Sequence, residues 1–186
     1  MYRDESLKKY LDDLAARAPT PGGGSAAALN AALAASLVSM VANFTLGKSK
    51  YARFEADVKK ILASSEKLRK DFLNLVDLDV KAYNSKNLRE SLNVPFMTAR
   101  LCFEGIKLCL PLATKGNINL SSDCGTAAAL FDGAFSGASF SVDINLKLLG
   151  DKRLAKQVRK ELDQKAKVIK KLRAQTEAKI GKIIRG

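Results

Sequence analysis

Apolar residues recur along this chain at steps of three and four, and they do not alternate over any strand-length run, so the pattern predicts helices throughout. Leu7, Tyr10, Leu11 and Leu14 form the apolar face of a first helix, which Pro19 and Pro21 close. Gly22-Gly23-Gly24-Ser25 then leads into an Ala-rich second helix that stops near Gly47, with no charged residue from Ala18 to Gly47. Small side chains let other helices approach it closely, which places it at the centre of a bundle or at a subunit interface. The third helix carries Phe54, Val58, Ile61, Ser65, Leu68, Phe72 and Leu75, a seam of the kind packed in bundles. Its next steps land on Asp79 and Tyr83, whereas Asp77 falls on another face. A polar loop is expected over 84–93, with Pro95 opening the fourth helix. That helix presents Phe96, Ala99, Phe103, Ile106, Leu110 and Ala113, is kinked by Pro111, and ends at Gly116-Asn117. The fifth opens at Ser121-Ser122-Asp123, runs through Cys124, Ala128, Phe131, Phe135, Ala138, Val142 and Asn145, and ends at Gly150. The sixth starts at Asp151 and buries Leu154, Val158, Leu162, Ala166, Ile169 and Leu172. The reading is an all-α bundle of about six helices in one domain, 1–186, dimerising through the Ala-rich helix.

Composition narrows the chemistry. There is no histidine, which removes Ser-His-Asp triads, Cys-His dyads and His-ligated zinc and leaves carboxylate, Lys, Tyr or Cys for proton transfer. The net charge of +13 favours an anionic partner, and residues 151–186 hold 13 Lys/Arg against 4 Asp/Glu. No Phe, Tyr or Trp follows Phe140, which argues against base stacking and hence against a nucleic-acid partner. A basic helical protein that binds polyanions through the last helix is the competing class. Cys102, Cys109 and Cys124 contain no C-x-x-C pair and read as buried small apolar residues. The charged N-terminus, Met1-Tyr2-Arg3-Asp4-Glu5, is unlike a signal peptide, and the expected location is cytoplasmic. The Ala-rich stretch is long enough to span a membrane, but Ala adds little transfer energy and Asn30, Ser36 and Ser39 interrupt it, so a buried helix is expected and no membrane.

Four features could carry chemistry. Asp79 is a carboxylate on an otherwise apolar seam: either an acid–base group with a shifted pKa or a hydrogen-bonded seam end. The Gly22-Gly23-Gly24-Ser25 turn either crowds backbone N–H groups around an anion or is a tight turn with Ser25 as helix cap. Asn117, Ser122 and Asp123 flank a helix start, where capping accounts for them. Asn145 either offers a donor and acceptor to an amide-like ring or ties two helices together.

Taken in order, these pieces resemble one family. Pro21-Gly22-Gly23-Gly24-Ser25, Met40-Val41-Ala42-Asn43-Phe44-Thr45, Lys48 with Tyr51, Asp79 with Ala82-Tyr83, Val94-Pro95, Gly116-Asn117, Ser122-Asp123 with Ala127-Ala128, and Val142 with Ile144-Asn145-Leu146-Lys147 are similar to the formimidoyltetrahydrofolate cyclodeaminase / methenyltetrahydrofolate cyclohydrolase family. The resemblance covers nearly the whole chain. It implies an all-helical homodimer acting at the one-carbon bridge of tetrahydrofolate, with no metal or cofactor beyond the folate substrate. The cyclodeaminase expels ammonia and closes the methenyl ring; the cyclohydrolase adds water to that ring and gives 10-formyltetrahydrofolate. With no room for a fused transferase domain, the cyclohydrolase is expected first. Carried over, the resemblance makes Asp79 catalytic and Gly23, Gly24, Ser25, Lys48, Asn117, Ser122, Asp123 and Asn145 substrate-binding. The substrate implied is a folate with a polyglutamate tail, which the basic excess would attract. Two departures stand out: the segment between Tyr83 and Val94 is shorter than in the family, and Ser141 and Asp143 replace its usual Asn and apolar or basic residue.

Overall fold

The computed structural model describes residues 1–186 and contains six α-helices and no strand. They are α1 (Leu7–Ala15), α2 (Gly23–Asn43), α3 (Glu55–Asn84), α4 (Leu88–Lys115), α5 (Ser121–Leu149) and α6 (Lys152–Arg185), with short 3₁₀ turns at Tyr2–Asp4, Ser49–Phe54 and Ile118–Leu120. Helix α2 sits in the middle and packs against α3, α4 and α5, while α6 lies across α4 and α5. Ala28, Ala31, Ala34, Ala35 and Ala42 are fully buried along α2, where the missing bulk lets neighbouring backbones come close. The close approach is visible at Gly137 of α5, where an added Cβ would stand 3.5 Å from Ala27.

The polar residues inside α2 are satisfied within the bundle. Asn30 donates to the Leu130 carbonyl at 3.1 Å, Ser36 to the Ala32 carbonyl at 2.8 Å, and Ser39 shares a 2.8 Å hydrogen bond with Ser65 of α3. Helix α2 is the one helix long and apolar enough to cross a membrane, and 61% of its most apolar window is buried against the rest of the chain.

The seams of α3 and α5 are as the spacing predicts. Val58, Ile61, Ser65, Leu68, Phe72 and Leu75 of α3 are buried, as are Cys124, Ala128, Phe131, Phe135, Ala138 and Val142 of α5. All three cysteines are buried and free, and burial pushes the Cys124 thiol up to about 12. In α6, Val158, Leu162 and Ile169 are buried as expected, with Thr176 and Ile180 continuing the stripe. Asp151 caps that helix by accepting from Leu154 N–H at 2.9 Å.

Three expectations need correction. Of the α1 face only Tyr10 is buried; Leu7 and Leu11 are 65% and 50% exposed because this nine-residue helix meets the bundle along one edge. The expected loop over 84–93 shrinks to residues 85–87, and Pro95 lies well inside α4 instead of opening it. Asn87 starts that helix, its side chain accepting from Arg89 and Glu90 N–H. The buried face of α4 is also rotated from the expected one: Leu92, Ala99, Cys102, Ile106 and Cys109 are buried, while Phe96 and Phe103 turn partly outward. Those two rings lie under cations, Arg100 over Phe96 at 4.0 Å and Lys165 of α6 over Phe103 at 4.2 Å.

Candidate active site

The seam of α3 carries Asp79 to the first turn of α2. Gly22 is the N-cap of α2, so Gly23, Gly24 and Ser25 are its first residues and their N–H groups lack helical partners. Gly24 is required sterically: a Cβ there would collide with the Asp79 carboxylate. The Ser25 backbone amide faces that carboxylate and favours its ionised form. The anion facing the glycine turn is therefore one of the protein's own side chains. Burial raises Asp79 from its usual 3.8 to about 6, the Ser25 amide pulling the other way. At neutral pH it is mostly ionised and within easy reach of a proton.

Ser25 does not cap the helix and its hydroxyl does not reach solvent. Ser25 is fully buried, and its Oγ donates to the Val76 carbonyl of α3 at 3.0 Å. The Tyr10 hydroxyl must then be the donor in the 3.1 Å contact between the two hydroxyls. Of the turn, Gly23 is exposed; a Cβ there would only graze Ser141 Oγ at 4.0 Å, leaving space for a ligand.

Asn145 lies on α5, one turn beyond Ser141. Its amide nitrogen donates to the Ser91 carbonyl at 2.8 Å and the Ser141 carbonyl at 2.9 Å. Both neighbours are carbonyls, which settles the orientation of the amide. Ser91 is four residues before Pro95, so its carbonyl has lost the helical N–H that another residue would supply, and Asn145 replaces it. Asn145 thus ties α5 to α4 and keeps its Oδ1 free as an acceptor. Of the two residues in the second departure, Ser141 faces this site and Asp143 does not. Asp143 pairs with Arg159 of α6 at 2.7 Å on the opposite side of α5.

The remaining predicted residues gather at the other end of α2, about 30 Å away at 1.5 Å per residue. Asn117 is buried there. Its N–H donates to Thr45 Oγ1 at 2.8 Å, its amide nitrogen to the Phe44 carbonyl at 3.3 Å, and its Oδ1 accepts from Asn119 N–H at 3.2 Å. Tyr51 joins it, the hydroxyl accepting from Ile118 N–H at 3.1 Å and donating to Asn117 Oδ1 at 3.4 Å. Lys48 is exposed beside this group. Asn117 caps the 3₁₀ turn, but Ser122 and Asp123 cap nothing: α5 has no side-chain cap, and Asp123 stands in its first turn. Capping therefore does not account for those two residues.

The structure adds two residues that spacing did not single out. Tyr10, read only as a core position, is 3% exposed beside Ser25. Asp77, read as pointing elsewhere, is 5% exposed on the other side of α3. No group of three or more Asp, Glu or Cys side chains is placed to hold a metal ion. The larger hollows lie along α6, one of about 570 Å³ being lined by Phe140, Lys147 and Arg159 among others, and Asp79 lines none of them.

The fold is an all-helical bundle in which a half-buried carboxylate faces the first turn of a glycine-opened central helix, in a chain without histidine. The formiminotransferase-cyclodeaminase family profile matches residues 6–87 and 84–164. Methenyltetrahydrofolate cyclohydrolase of Methylorubrum extorquens is 38% identical, the match covering 88% of this chain and 89% of that protein. Formimidoyltransferase-cyclodeaminase of Rattus norvegicus is 29% identical over 80% of this chain and 32% of its own length, so the chain corresponds to about a third of that protein. The crystal structure of formiminotetrahydrofolate cyclodeaminase from Thermotoga maritima superposes with a TM-score of 0.85 at 29% identity, covering 100% of this chain and 98% of that one. The chain belongs to the formiminotransferase-cyclodeaminase family.

Proposed function

We propose that this protein is a methenyltetrahydrofolate cyclohydrolase that uses Asp79 as its acid–base group. The observation that carries the reading is the Asp79 carboxylate at the start of α2, raised to about 6 by burial, in a chain similar over nearly its full length to a cyclohydrolase. Ionised Asp79 takes a proton from a water that adds to the methenyl carbon, forming a tetrahedral carbon between two nitrogens. The protonated carboxyl then delivers that proton to N5 as its bond to the carbon breaks. The new hydroxyl gives up its own proton to solvent and becomes the formyl oxygen of 10-formyltetrahydrofolate. The negative charge of Asp79 also stabilises the cationic ring before attack. Gly23 and the free Oδ1 of Asn145 border the space in which the ring would sit, and Ser25 contributes only its backbone amide. No metal or redox cofactor enters this scheme.

The same carboxylate could protonate ammonia leaving a formimidoyl group, and the likeness to the Thermotoga maritima cyclodeaminase favours that second reading. Two assays on the purified protein separate them. Loss of the methenyltetrahydrofolate absorbance above the uncatalysed rate, with no ammonia released from 5-formimidoyltetrahydrofolate, is expected. Ammonia release without accelerated loss of the methenyl absorbance would replace the cyclohydrolase by the cyclodeaminase.

The working unit in this reading is a cytoplasmic homodimer of single-domain protomers, 1–186. Its support is an uncovered apolar stripe on α2, where Leu33 and Phe44 are 53% and 55% exposed and Leu37 and Met40 lie between them half-buried. A two-fold axis across that stripe runs the two α2 helices antiparallel. Lys48, Asn117, Ser122 and Asp123 of one protomer then approach Asp79, Gly23 and Asn145 of its partner, so that each site is built from both chains. Lys48 there meets the anionic tail of a polyglutamylated folate.

A further inference from the structure

Asp77 Oδ2 is the one buried side-chain polar atom without a hydrogen-bond partner. The other oxygen, Oδ1, accepts from the Tyr2 backbone N–H at 2.7 Å, although the two residues are 75 apart in the chain. Arg3 Nε stands 3.8 Å from Oδ2, and the Arg3 guanidinium also donates to Asn74 Oδ1 at 2.5 Å. A carboxylate this deep, with one oxygen unpaired and a guanidinium 3.8 Å away, is weak evidence of a role in stability. An apolar residue would suit packing better, so the position of Asp77 needs another account.

The contacts that leave Asp77 return to the residue beside it. The Tyr2 hydroxyl donates to Asp13 of α1 at 2.9 Å, and the Tyr2 ring meets Tyr10 edge-on with centroids 5.2 Å apart. Tyr10 donates to Ser25, and Ser25 donates to the Val76 carbonyl. Val76 and Asp79 are three apart on α3 and so share a face. The N-terminal segment is thus a strap from residue 77 over α1 and the start of α2 to residue 76, and it closes one side of Asp79. Tyr10 is the titratable side chain it brings to the carboxylate; burial raises the Tyr10 hydroxyl, and the Asp79 charge raises it further. Helix α2 brings Gly24 and Ser25, and α5 brings Ser141 beside Gly23, none of them charged.

We propose that Asp77 is a positioning residue: by anchoring residues 1–5 on α3 it holds Tyr10 and Ser25 in register, and these keep the Asp79 carboxylate against the start of α2 and shielded from water. The proposal rests on Asp79 being the acid–base group. Loosening the strap lets water reach that carboxylate, so its titration moves from about 6 back toward 3.8.

The test compares Asp77→Leu, which fills the space but cannot accept the Tyr2 N–H bond, with wild type and with Ile169→Val, a cavity variant in fully buried packing that lowers Tm without touching the strap. In Asp77→Leu the acid limb of the kcat profile should move down by about one pH unit and maximal kcat should fall about tenfold, with KM little changed. Arg3→Ala should move the limb the same way by less. If the limb stays in place in Asp77→Leu as it does in Ile169→Val, the proposal is overturned. Carbon-13 titration of the Asp79 carboxyl gives a reading independent of turnover. A midpoint unmoved in Asp77→Leu sinks the positioning role, whereas a midpoint that moves while Asp79→Asn stays active sinks the catalytic assignment of Asp79 and leaves the strap standing.

Discussion

The half-buried carboxyl of Asp79 carries a stability cost that its proposed role in turnover would account for. Burial raises it from 3.8 to about 6, so the folded chain binds its proton more tightly than the unfolded chain does. Between about pH 4 and pH 6 stability therefore falls as pH rises, and above about pH 6 the full penalty of a half-buried anion is present. Asp79→Asn should raise unfolding stability by about 2 kcal/mol near pH 8, a figure trimmed for the water that Asp79 still meets. The gain should be mostly gone by about pH 4 and vanish by about pH 3, below both pKa values, where the carboxyl is protonated in both states. Urea melts at these pH values check this, and a variant no more stable than wild type near pH 8 would contradict it. The seam spacing alone puts Asp79 on the buried face of α3. Asp77 and Tyr10 carry no such mark, because their partners Tyr2 and Ser25 are supplied by distant chain segments. The Gly22-Gly23-Gly24-Ser25 turn reads in sequence as backbone N–H groups around an anion or as a tight turn capped by Ser25; Ser25 caps nothing, and the anion facing the turn is the Asp79 carboxylate.

Among the elements, α3 and α5 follow from periodicity because their seams are long and uninterrupted. The start of α4 does not. Residues 84–93 are mostly polar, with Leu88 and Leu92 as the only large apolar positions, and Pro95 then reads as an opening residue. Tertiary bonding overrides that signal: Ser91 Oγ donates to the Ala82 carbonyl at 3.1 Å, and Asn145 replaces the N–H that Pro95 lacks. Helix α2 was legible as a central helix, and it also has the exposed stripe on which the dimer reading depends. Leu33 begins that stripe at the middle of α2, close to where a two-fold axis between antiparallel α2 helices would cross, so Leu33→Glu sets two like charges against each other. The variant should sediment as a monomer at micromolar concentration with its helicity intact and turnover strongly reduced. A wild type that is itself monomeric would end the dimer proposal.

For the whole molecule, the predicted site residues separate into two groups at opposite ends of α2, a distance no sequence pattern reports. In the proposed dimer, the antiparallel α2 helices would bring these two groups together across the interface. The charge is just as unevenly placed. Much of the +13 lies on α6, whose outward cations include Lys152, Lys156, Lys160 and Lys167, while Arg159, Glu161 and Arg173 pin it to α5 and α4. A surface so biased attracts an anionic folate tail at long range and loses that pull as salt rises. Polyglutamylated substrate should have a lower KM than the monoglutamate at low salt, with the gap closing at high salt. Equal KM values throughout a salt titration would assign the charge to another partner.

The central claim is that a single carboxylate on α3 runs the chemistry. Its most direct test is steady-state turnover of methenyltetrahydrofolate by wild type and Asp79→Asn, followed by loss of the substrate's absorbance, after circular dichroism has shown that the variant is folded. The asparagine keeps the size and the Ser25 contact but cannot carry a proton, so kcat should fall by about 100-fold or more. A folded Asp79→Asn protein that hydrolyses the substrate at near the wild-type rate would contradict the account.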